Sequence, residues 1–483
     1  MSPETLVSRT DLLAVLPETI LTVAGVLILL VTAAWSPLRR LATPAAVLAA
    51  LLAGYASWAW VPSGASFRGL LEATAVTQAA GLVVLLSAVL ALLASQGYLA
   101  REGILEGEYH ALFLWCATGM LLMVRATELL TVFLALELLS ICLYALAGYH
   151  RRLALATEAA VKYFLMGAFV SAFVLYGLAL LYGETGSTRL DEITVRLTAG
   201  DSSSLTSLGL LLLVAGFGFK MSLVPFHAWS PDTYQGAPSP FVAFLSVAPK
   251  AASAIVLVRL LEVALAGDPA GRWPALVGLL AILCMVAGNL LALVQRDIKR
   301  MLAYSGIAHM GYLLIPLAAL EPRPWTPVLV YLLAYALMNA GAFAVVGMLY
   351  PRPGEQHLIS DLSGWGSRYP LLAFCLTVCM LSLGGIPPTL GFFGKYLVFA
   401  WAVEHGLLHL ALVGIATSLV GIFYYLRVVY VLYMKPEIRE PEGTAVDGWG
   451  RTAAVLAAAG TLLLGIWPSG AIEWLEGALT RLP

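Results

Sequence analysis

Residues 205–226 read LTSLGLLLLVAGFGFKMSLVPF, a long apolar run interrupted near its end by Lys220 and Pro225. About 20 apolar residues are enough for an α-helix to cross the hydrocarbon core of a bilayer. A strand of an outer-membrane barrel would instead alternate apolar and polar residues over about ten positions. The run therefore predicts a membrane-spanning helix.

The composition of the 483-residue chain agrees with this prediction, because 60% of the residues are hydrophobic and only 11% are charged. The mean hydropathy is +0.89. About a quarter of the residues in an average soluble domain are charged, so this chain could not cover a water-exposed surface. The net charge of -1 offers no basic surface to nucleic acid. These values exclude a soluble globular protein, a disordered chain and a nucleic-acid binder, and they predict an all-α polytopic membrane protein.

Apolar runs of about 20 residues predict fourteen transmembrane helices. The predicted spans are 12–35, 41–61, 77–99, 109–125, 128–148, 157–183, 206–226, 240–264, 274–294, 300–320, 326–349, 370–404, 408–434 and 452–470. Basic residues concentrate in the loops after spans 1, 5 and 9. They are Arg39, Arg40, Arg151, Arg152, Arg296, Lys299 and Arg300. The positive-inside rule places these loops in the cytoplasm and both termini outside, on the periplasmic side of a bacterial inner membrane.

Two of the predicted spans are interrupted by glycine and proline. Span 7 contains Gly216, Gly218 and Pro225, and span 12 contains GGIPP at 384–388. Broken helices are tolerated at membrane depth where they line a cavity. Two such helices, five spans apart, predict a pair of inverted repeats with discontinuous helices 7 and 12.

The repeats divide the chain into four units. Residues 1–105 hold spans 1–3, residues 106–265 form a first antiporter-like repeat of helices 4–8, residues 266–435 form the second, inverted repeat of helices 9–13, and residues 436–483 hold helix 14. An odd number of helices in each repeat gives the two repeats opposite orientations in the membrane.

Four ionisable residues lie deep inside predicted spans and are flanked by apolar residues: Glu137, Lys220, Lys250 and Lys395. A charge at the bilayer centre costs at least about 2.5–3.5 kcal/mol. Burial favours the neutral form of a lysine, so a buried lysine can take up and release a proton near neutral pH, whereas an arginine stays charged. We interpret the lysines as proton carriers and Glu137 as a switchable partner of Lys220. Fixed internal ion pairs are the alternative.

Further polar residues could relay protons between these groups. His227 follows the break in span 7, His309 and Tyr304 share span 10, and Tyr335 and Asn339 stand four residues apart in span 11. Histidine titrates near neutral pH and suits such a relay. Either histidine could equally be a hydrogen-bonded packing residue.

Other charged residues have simpler interpretations. Lys162 stands four residues after Glu158 on one helix, which predicts an ion pair or a side chain that reaches the interface. We expect Asp232 to be a turn and cap residue near the cytoplasmic end of span 7. Lys299 and Lys435 lie at loop edges.

No cofactor or metal site is expected in this chain. The five cysteines are scattered, and Cys375 and Cys379, four residues apart, are typical of small apolar packing residues. The sequence contains no GxSxG, P-loop or helix-opening GxGxxG motif. Any electron transfer must therefore take place on another subunit.

Four motifs carry a resemblance to a known family. They are PFHAWSPDTYQGAPSPFVAFLSVAPKAA at 225–252, QRDIKRMLAYSGIAHMGY at 295–312, GIPPTLGFFGKYLVF at 385–399 and FYYLRVV at 423–429. They closely resemble the antiporter-like membrane subunits of respiratory complex I, the NADH–quinone oxidoreductase. Within that family the chain resembles the branch with proline directly before the lysine of the eighth helix and lysine in the twelfth, here Pro249, Lys250 and Lys395.

The resemblance implies roles for the ionisable residues. Protons would pass from the cytoplasm to Lys220 beside Glu137, continue through Lys250, and leave by Lys395. Neither NADH nor quinone would bind this chain. Flavin and iron–sulfur clusters would belong to partner subunits, quinone would bind elsewhere in the complex, and the chain would contact other membrane subunits and lipid.

The expected function is therefore proton translocation coupled to quinone reduction elsewhere in an NADH–quinone oxidoreductase. A subunit of a related multisubunit cation/proton antiporter or membrane-bound hydrogenase is the first alternative. A structural spacer with inactive channels is the second.

Overall fold

The computed structural model describes residues 8–199, 203–266, 268, 271–319, 323–349, 357–436 and 446–480, and most of them are helical. The helices are α1 (Arg9–Ala14), α2 (Leu16–Ala34), α3 (Ala42–Ala59), α4 (Ala75–Arg101), α5 (Gly107–Arg125), α6 (Leu129–Ala147), α7 (Ala154–Thr185), α8 (Leu190–Thr198), α9 (Ser204–Lys220), α10 (Trp229–Gly236), α11 (Ser239–Leu245), α12 (Ala248–Ala266), α13 (Arg272–Leu293), α14 (Ile298–Leu317), α15 (Trp325–Leu349), α16 (Trp365–Arg368), α17 (Pro370–Gly384), α18 (Leu390–Glu404), α19 (Leu408–Met434), α20 (Gly448–Ile466) and α21 (Pro468–Thr480). A small antiparallel hairpin pairs β1 (Gly64–Ser66) with β2 (Leu71–Ala73), with Ser66 opposite Leu71.

The prediction of an all-α polytopic membrane protein is confirmed. Eleven segments of the described chain are helices long and apolar enough to cross a membrane. The predicted spans 7 and 10 overlap α9 and α14, and span 12 contains α17 and α18. These four helices lie outside that set because they are shorter or less apolar. The number of fourteen crossings therefore stays a prediction.

Both predicted helix interruptions are present. Helix α9 ends at Lys220 and α10 begins at Trp229, while α17 ends at Gly384 and α18 begins at Leu390. Proline lacks the backbone N–H of a helical hydrogen bond and its ring clashes with the preceding turn, so the prolines in both segments disfavour a continuous helix. Gly385, with φ of 80°, adopts the left-handed conformation that commonly follows the end of a helix.

A third interruption was not predicted. Within the predicted span 8, α11 ends at Leu245 and α12 begins at Ala248. Pro249 is the signal in the sequence, because proline fits the first turn of a new helix but not the interior of a continuous one. The break places Lys250 in the first turn of α12.

Helix α4 occupies the middle of the helix bundle. It contacts α5 and α12 from the predicted first repeat and α15 and α20 from the later part of the chain, and most of its residues are buried. Helices α2 and α3 contact α5 as well, so the three predicted spans of residues 1–105 pack against the rest of the bundle. The division of the chain into four units remains a prediction.

Contacts between loops agree with the predicted alternation of sides. Arg39, after span 1, forms an ion pair of 2.7 Å with Glu106, after span 3. Asp297, after span 9, accepts a hydrogen bond from Gln235. On the opposite face, the backbone at Glu128 pairs with the backbone at Arg189. Each of these three contacts therefore joins two loops that were predicted to lie on the same side of the membrane.

Candidate proton-transfer site

The three predicted lysines are buried in the helix bundle. Lys220 is 3% exposed, Lys250 is fully buried and Lys395 is 5% exposed. Glu137, on α6, is half-buried. Isolated charges at membrane depth are costly and mark functional sites by default, so the surroundings of each group decide what it can do.

Lys220, the last residue of α9, is surrounded by aromatic rings. Its Nζ lies 5.1 Å from the ring centre of Tyr144, 5.5 Å from that of Tyr163 and 6.0 Å from that of Phe219. Nζ has no hydrogen-bond partner among the described residues. Ring faces attract a cation without holding it in one position, so this ammonium is stabilised but not locked in place.

Glu137, the predicted switchable partner of Lys220, is not in direct contact with that lysine. Its Oε1 accepts a hydrogen bond of 2.6 Å from Ser171 on α7. Among the described residues no ion pair joins Glu137 to Lys220, although the two groups interact electrostatically. The serine hydroxyl competes for the carboxylate, and the two charges stay beyond contact distance.

Lys250 lies between the rings of two tyrosines. Its Nζ is 5.7 Å from the ring centre of Tyr234 and 6.0 Å from that of Tyr335, and it makes no hydrogen bond with any described residue. Gly306 provides the space beside it. A Cβ at that glycine would lie 3.1 Å from the lysine Nζ and 2.8 Å from the tyrosine hydroxyl of residue 335.

His309 connects the surroundings of Lys250 to several tyrosines. Its Nδ1 hydrogen-bonds the Tyr331 hydroxyl at 2.6 Å, and its Nε2 hydrogen-bonds the Tyr425 hydroxyl at 3.2 Å. Its ring centre is 5.2 Å from that of Tyr335, whose hydroxyl accepts a hydrogen bond from Asn339 Nδ2 at 3.3 Å. Three of the predicted relay residues, at positions 309, 335 and 339, are therefore adjacent to one another.

Lys395 is the only one of the three lysines with a full set of hydrogen bonds in the described structure. Its Nζ donates to the carbonyl oxygens of Leu383 at 3.0 Å and Gly384 at 3.1 Å, and to Ser418 Oγ at 2.7 Å. The ring centre of Tyr312 lies 5.1 Å away. The side chain thus reaches from α18 back to the end of α17.

A series of ring contacts connects the three lysines. Tyr163 stacks on Trp229 at 4.4 Å, and Trp229 lies 6.4 Å from Tyr234, which takes the series from Lys220 to Lys250.

From Lys250 the series of ring contacts continues through Tyr335, His309 and Tyr312 to Lys395, with 5.8 Å between the ring centres of His309 and Tyr312. Hydrogen bonds that could pass a proton lie around His309, whose ring nitrogens bond the Tyr331 and Tyr425 hydroxyls. Trp229, by contrast, can only donate, and its Nε1 bonds the carbonyl oxygen of Phe219.

Two predicted relay residues lie outside this series. His227 is half-buried in the turn between α9 and α10, and the structure shows no contact between it and the lysines among the described residues. Tyr304 is half-buried and interacts with Arg300 at the end of the bundle.

The expectation for Asp232 was wrong, because this residue is on helix α10 and not in a turn. Its carboxylate forms ion pairs with Lys162 at 2.8 Å and Arg300 at 2.6 Å. Lys162 also pairs with Glu158 at 2.7 Å, as the four-residue spacing predicted. Asp232 therefore connects α7 to α14 through the short helix that follows the break.

Lys299 is more buried than its position at a loop edge suggested. It is 2% exposed, and its Nζ donates a hydrogen bond of 2.7 Å to the carbonyl oxygen of Ala237. Lys435, by contrast, is exposed. Hydropathy cannot separate the two lysines, because the burial of Lys299 comes from the packing of α14 against α10.

Several residues of the series were missed by sequence reasoning, which treated aromatic residues as packing or interfacial groups. One signal was present on α15. Tyr331, Tyr335 and Asn339 follow one another at intervals of four residues, so their side chains share one helix face. For Tyr163 and Tyr234 no comparable local pattern exists, since each meets its lysine only across a helix interface.

The described part of the chain contains no group of three or more histidine, cysteine, aspartate or glutamate residues that could hold a metal ion. The five cysteines are buried, and each has a free thiol.

Comparison with known proteins gives the family. Residues 126–421 match the family described as "NADH:quinone oxidoreductase/Mrp antiporter, TM". A relative from Trichlorobacter lovleyi, named NADH-quinone oxidoreductase subunit N, is 40% identical over 481 residues, which cover 97% of this chain and 97% of the relative. The chain belongs to this family, in its subunit N branch. The four ionisable residues Glu137, Lys220, Lys250 and Lys395 all lie within the matched range.

Two solved structures are similar to this chain over nearly its whole length. A chain of respiratory complex I from Thermus thermophilus, solved with bound aureothin, has 36% identity and a TM-score of 0.82, and the match covers 95% of this chain and 99% of that one. A chain of an archaeal membrane-bound sulfane sulfur reductase has a TM-score of 0.84 at 24% identity, over 98% and 97% of the two chains. At that identity the second likeness concerns the fold alone.

Proposed function

We propose that this chain carries protons across the membrane as a subunit of an NADH–quinone oxidoreductase, driven by quinone reduction elsewhere in the complex. The observation that supports the proposal best is the series of ring contacts that joins the three buried lysines, with hydrogen-bonded hydroxyls around His309. Burial of each amine in the membrane is energetically unfavourable. Three buried amines in contact with tyrosine and histidine therefore indicate a function rather than ordinary packing.

The surroundings of the lysines favour proton carriers over fixed ion pairs. None of the three forms an ion pair with a described residue, and Lys220 and Lys250 have ring faces instead of hydrogen-bond acceptors. A permanently charged buried ammonium would need a close counter-charge. A group that loses and regains its proton needs surroundings that tolerate both forms, as aromatic rings do.

The proposed path takes protons from the side of the arginine-rich loops to Lys220, then to Lys250, and out by Lys395. Glu137 would favour the charged form of Lys220 when it moves closer and the neutral form when it moves away. The arginine-rich loops would face the cytoplasm of a bacterium and both termini would lie on the periplasmic side of its inner membrane. The first five-helix repeat would contribute the breaks in spans 7 and 8, and the second repeat would contribute the break in span 12.

Flavin and iron–sulfur clusters would belong to partner subunits. The described residues contain no metal-binding group, and the relative at 40% identity is named as one lettered subunit of an oxidoreductase. The chain would therefore act on protons only, and other subunits would bind NADH and quinone.

Replacement of Lys220 tests the proposal. We expect Lys220→Ala to reduce proton pumping by about tenfold or more, since a proton-transfer group typically contributes at least that much to a rate. The measurement is the pH change inside proteoliposomes that contain the assembled complex, with NADH oxidation followed in parallel. Lys435→Ala is the matched control, because it removes an exposed lysine. Wild-type pumping by an assembled Lys220→Ala complex would refute the proposal.

Lys250→Arg separates a proton carrier from a fixed positive charge in the same assay. A guanidinium keeps the charge but cannot release its proton, so we expect pumping to fall although the charge remains. A variant that pumps like the wild type would show that only the charge is needed.

A subunit of a cation/proton antiporter or of a membrane-bound hydrogenase remains the second candidate, because the matched family includes Mrp antiporters. Proteins that copurify with the tagged chain decide between these functions. Flavin and iron–sulfur subunits with NADH oxidation indicate the oxidoreductase, and their absence indicates an antiporter. Normal pumping by all of the lysine variants would instead indicate a structural spacer.

A further inference from the structure

Ser418 is in an unusual position for a buried serine of a membrane helix. Such hydroxyls commonly donate to the carbonyl four residues earlier, as Ser87 does to Val83 at 2.8 Å. Thr417, the neighbour of Ser418 on α19, likewise donates to Val413 at 2.8 Å. Ser418 makes no such bond in the described structure. Its Oγ instead accepts the hydrogen bond from Lys395 Nζ, so its own proton is not committed to its helix.

The three acceptors around Lys395 match the three N–H groups of an ammonium in number. Two of the acceptors are the carbonyl oxygens of Leu383 and Gly384, at the end of α17, where a helix leaves its last carbonyls without partners. A carbonyl oxygen can only accept. The third acceptor, the hydroxyl of Ser418, can both accept and donate.

This difference matters when Lys395 loses a proton. The neutral amine has two N–H groups and one lone pair. The two N–H groups can stay on the carbonyl oxygens, and the lone pair then faces Ser418 Oγ. In the charged state the serine O–H can point to the hydroxyl of Tyr312, with which it interacts. In the neutral state it can rotate and donate to the amine.

We propose that Ser418 is a positioning residue that keeps Lys395 hydrogen-bonded in the same place in both of its charge states. The bond between residues 395 and 418 reverses direction when the lysine releases its proton to water on the exit side, and the serine keeps its own proton. The lysine can therefore change charge without movement of α17, α18 or α19. This inference rests on the proposed function.

Three replacements of Ser418 separate hydrogen bonding from packing. Ser418→Ala removes the hydroxyl, Ser418→Cys keeps the size but bonds weakly, and Ser418→Thr keeps the hydroxyl and adds a methyl group. Each assembled complex is reconstituted in proteoliposomes for proton pumping, and the subunit composition of the purified complex measures intact assembly. Ser87→Ala is the matched control, because it also removes a buried serine hydroxyl from a membrane helix.

We expect Ser418→Ala and Ser418→Cys to lower proton pumping by about tenfold, the effect of losing one hydrogen bond to a charged group. Ser418→Thr and Ser87→Ala should pump like the wild type. Normal pumping with cysteine or with alanine would overturn the proposal, and loss with threonine alone would show that only packing matters. If the alanine variant does not assemble, comparison of the cysteine and threonine variants still shows whether proton pumping needs the hydroxyl.

Lys395→Ala, measured in the same assay, separates this inference from the proposed function. If Lys395→Ala pumps normally, the lysine path itself is wrong. If that variant fails to pump while every Ser418 variant pumps normally, the path stands and only the role of Ser418 is wrong.

Discussion

At the scale of single residues, the three lysines share burial but differ in their contacts. Lys220 and Lys250 have aromatic rings beside Nζ, whereas Lys395 has three hydrogen-bond acceptors. Ring faces attract an ammonium by roughly 0.5–2 kcal/mol, and a hydrogen bond to a charged group contributes about 1.5–3 kcal/mol. The rings therefore leave the position of Nζ in Lys220 and Lys250 loosely defined, whereas the three acceptors fix the position of Nζ in Lys395.

Replacement of Gly306 tests whether proton pumping needs the space beside the amine of Lys250. A methyl group there would lie 3.1 Å from the lysine Nζ and 2.8 Å from the hydroxyl of Tyr335. Overpacking of this kind costs about 1–3 kcal/mol, so we expect Gly306→Ala to displace the amine and to lower proton pumping. Gly183→Ala is the control, because a Cβ on Gly183 of α7 would meet nothing within 4 Å. Equal pumping by the two variants would contradict the tight packing seen at Lys250.

At the scale of helices, each break exposes backbone groups that a continuous helix would use internally. The carbonyl oxygens at the end of α17 accept hydrogen bonds from Lys395, and Ser382 on α17 accepts a hydrogen bond from the backbone N–H of Gly391 on α18. The two halves of the broken helix are thus tied together by side chains. Irregular backbone at membrane depth is stable only with such partners.

Replacement of Gly385 tests whether the backbone shape of the break between α17 and α18 is needed for stability and proton pumping. Its φ of 80° disfavours any residue with a side chain, and a Cβ there would lie 2.8 Å from Cδ of Lys395. The backbone strain alone amounts to about 1–2 kcal/mol. We expect Gly385→Ala to reduce both the thermal stability of the complex and proton pumping.

Gly406 supplies the control for that experiment. It has a similar φ of 76° in the turn after α18, but a Cβ there would meet nothing within 4 Å. Gly406→Ala should therefore lower stability by the backbone strain alone and leave proton pumping intact. If both variants pump equally well, the shape of the break near Lys395 does not matter for proton transfer.

At the scale of the whole molecule, a buried ion pair fastens the N-terminal helices to the bundle. Arg125, at the end of α5, lies 3.0 Å from Glu18 of α2, and both side chains are at most 7% exposed. The arginine also donates to the carbonyl oxygen of Ala14 at 2.6 Å. Thr22 of α2 adds two longer polar contacts to α5, with Thr118 Oγ1 at 3.5 Å and with Trp115 Nε1, which donates to the Thr22 carbonyl oxygen at 3.3 Å.

Glu18→Ala should destabilise the protein by about 3–5 kcal/mol, because it leaves a buried guanidinium without its counter-charge. Thermal release of this chain from the assembled complex is the measurement. The double variant Glu18→Leu with Arg125→Met should recover most of the loss, since apolar residues of similar size replace a buried pair well. Arg39→Ala is the control, because its pair with Glu106 is exposed by 39% and 37% and such pairs contribute at most about 1 kcal/mol. A double variant as unstable as Glu18→Ala would disprove this account.

The sequence by itself determined the helical membrane class, the two broken helices and the candidate lysines. Each of these follows from local chemistry, because about 20 apolar residues span a bilayer, proline stops a helix, and a lysine among leucines is conspicuous wherever it is placed. The break before Ala248 and the tyrosine face of α15 were also visible locally, in Pro249 and in the four-residue spacing of Tyr331 and Tyr335.

Only the tertiary structure decided which groups meet across helix interfaces. It placed Ser171 rather than Lys220 on Glu137, buried Lys299 against α10, and brought Ser418 to Lys395 from a helix that hydropathy treats as uniform. The hydrophobic pattern predicts which face of a helix is buried. It does not predict the exact rotation of the helix about its axis or its position along that axis, which decide the neighbouring side chains that this face contacts. A shift of one residue along a helix turns a side chain by about 100°, and such a rotation decides whether a hydroxyl reaches an amine.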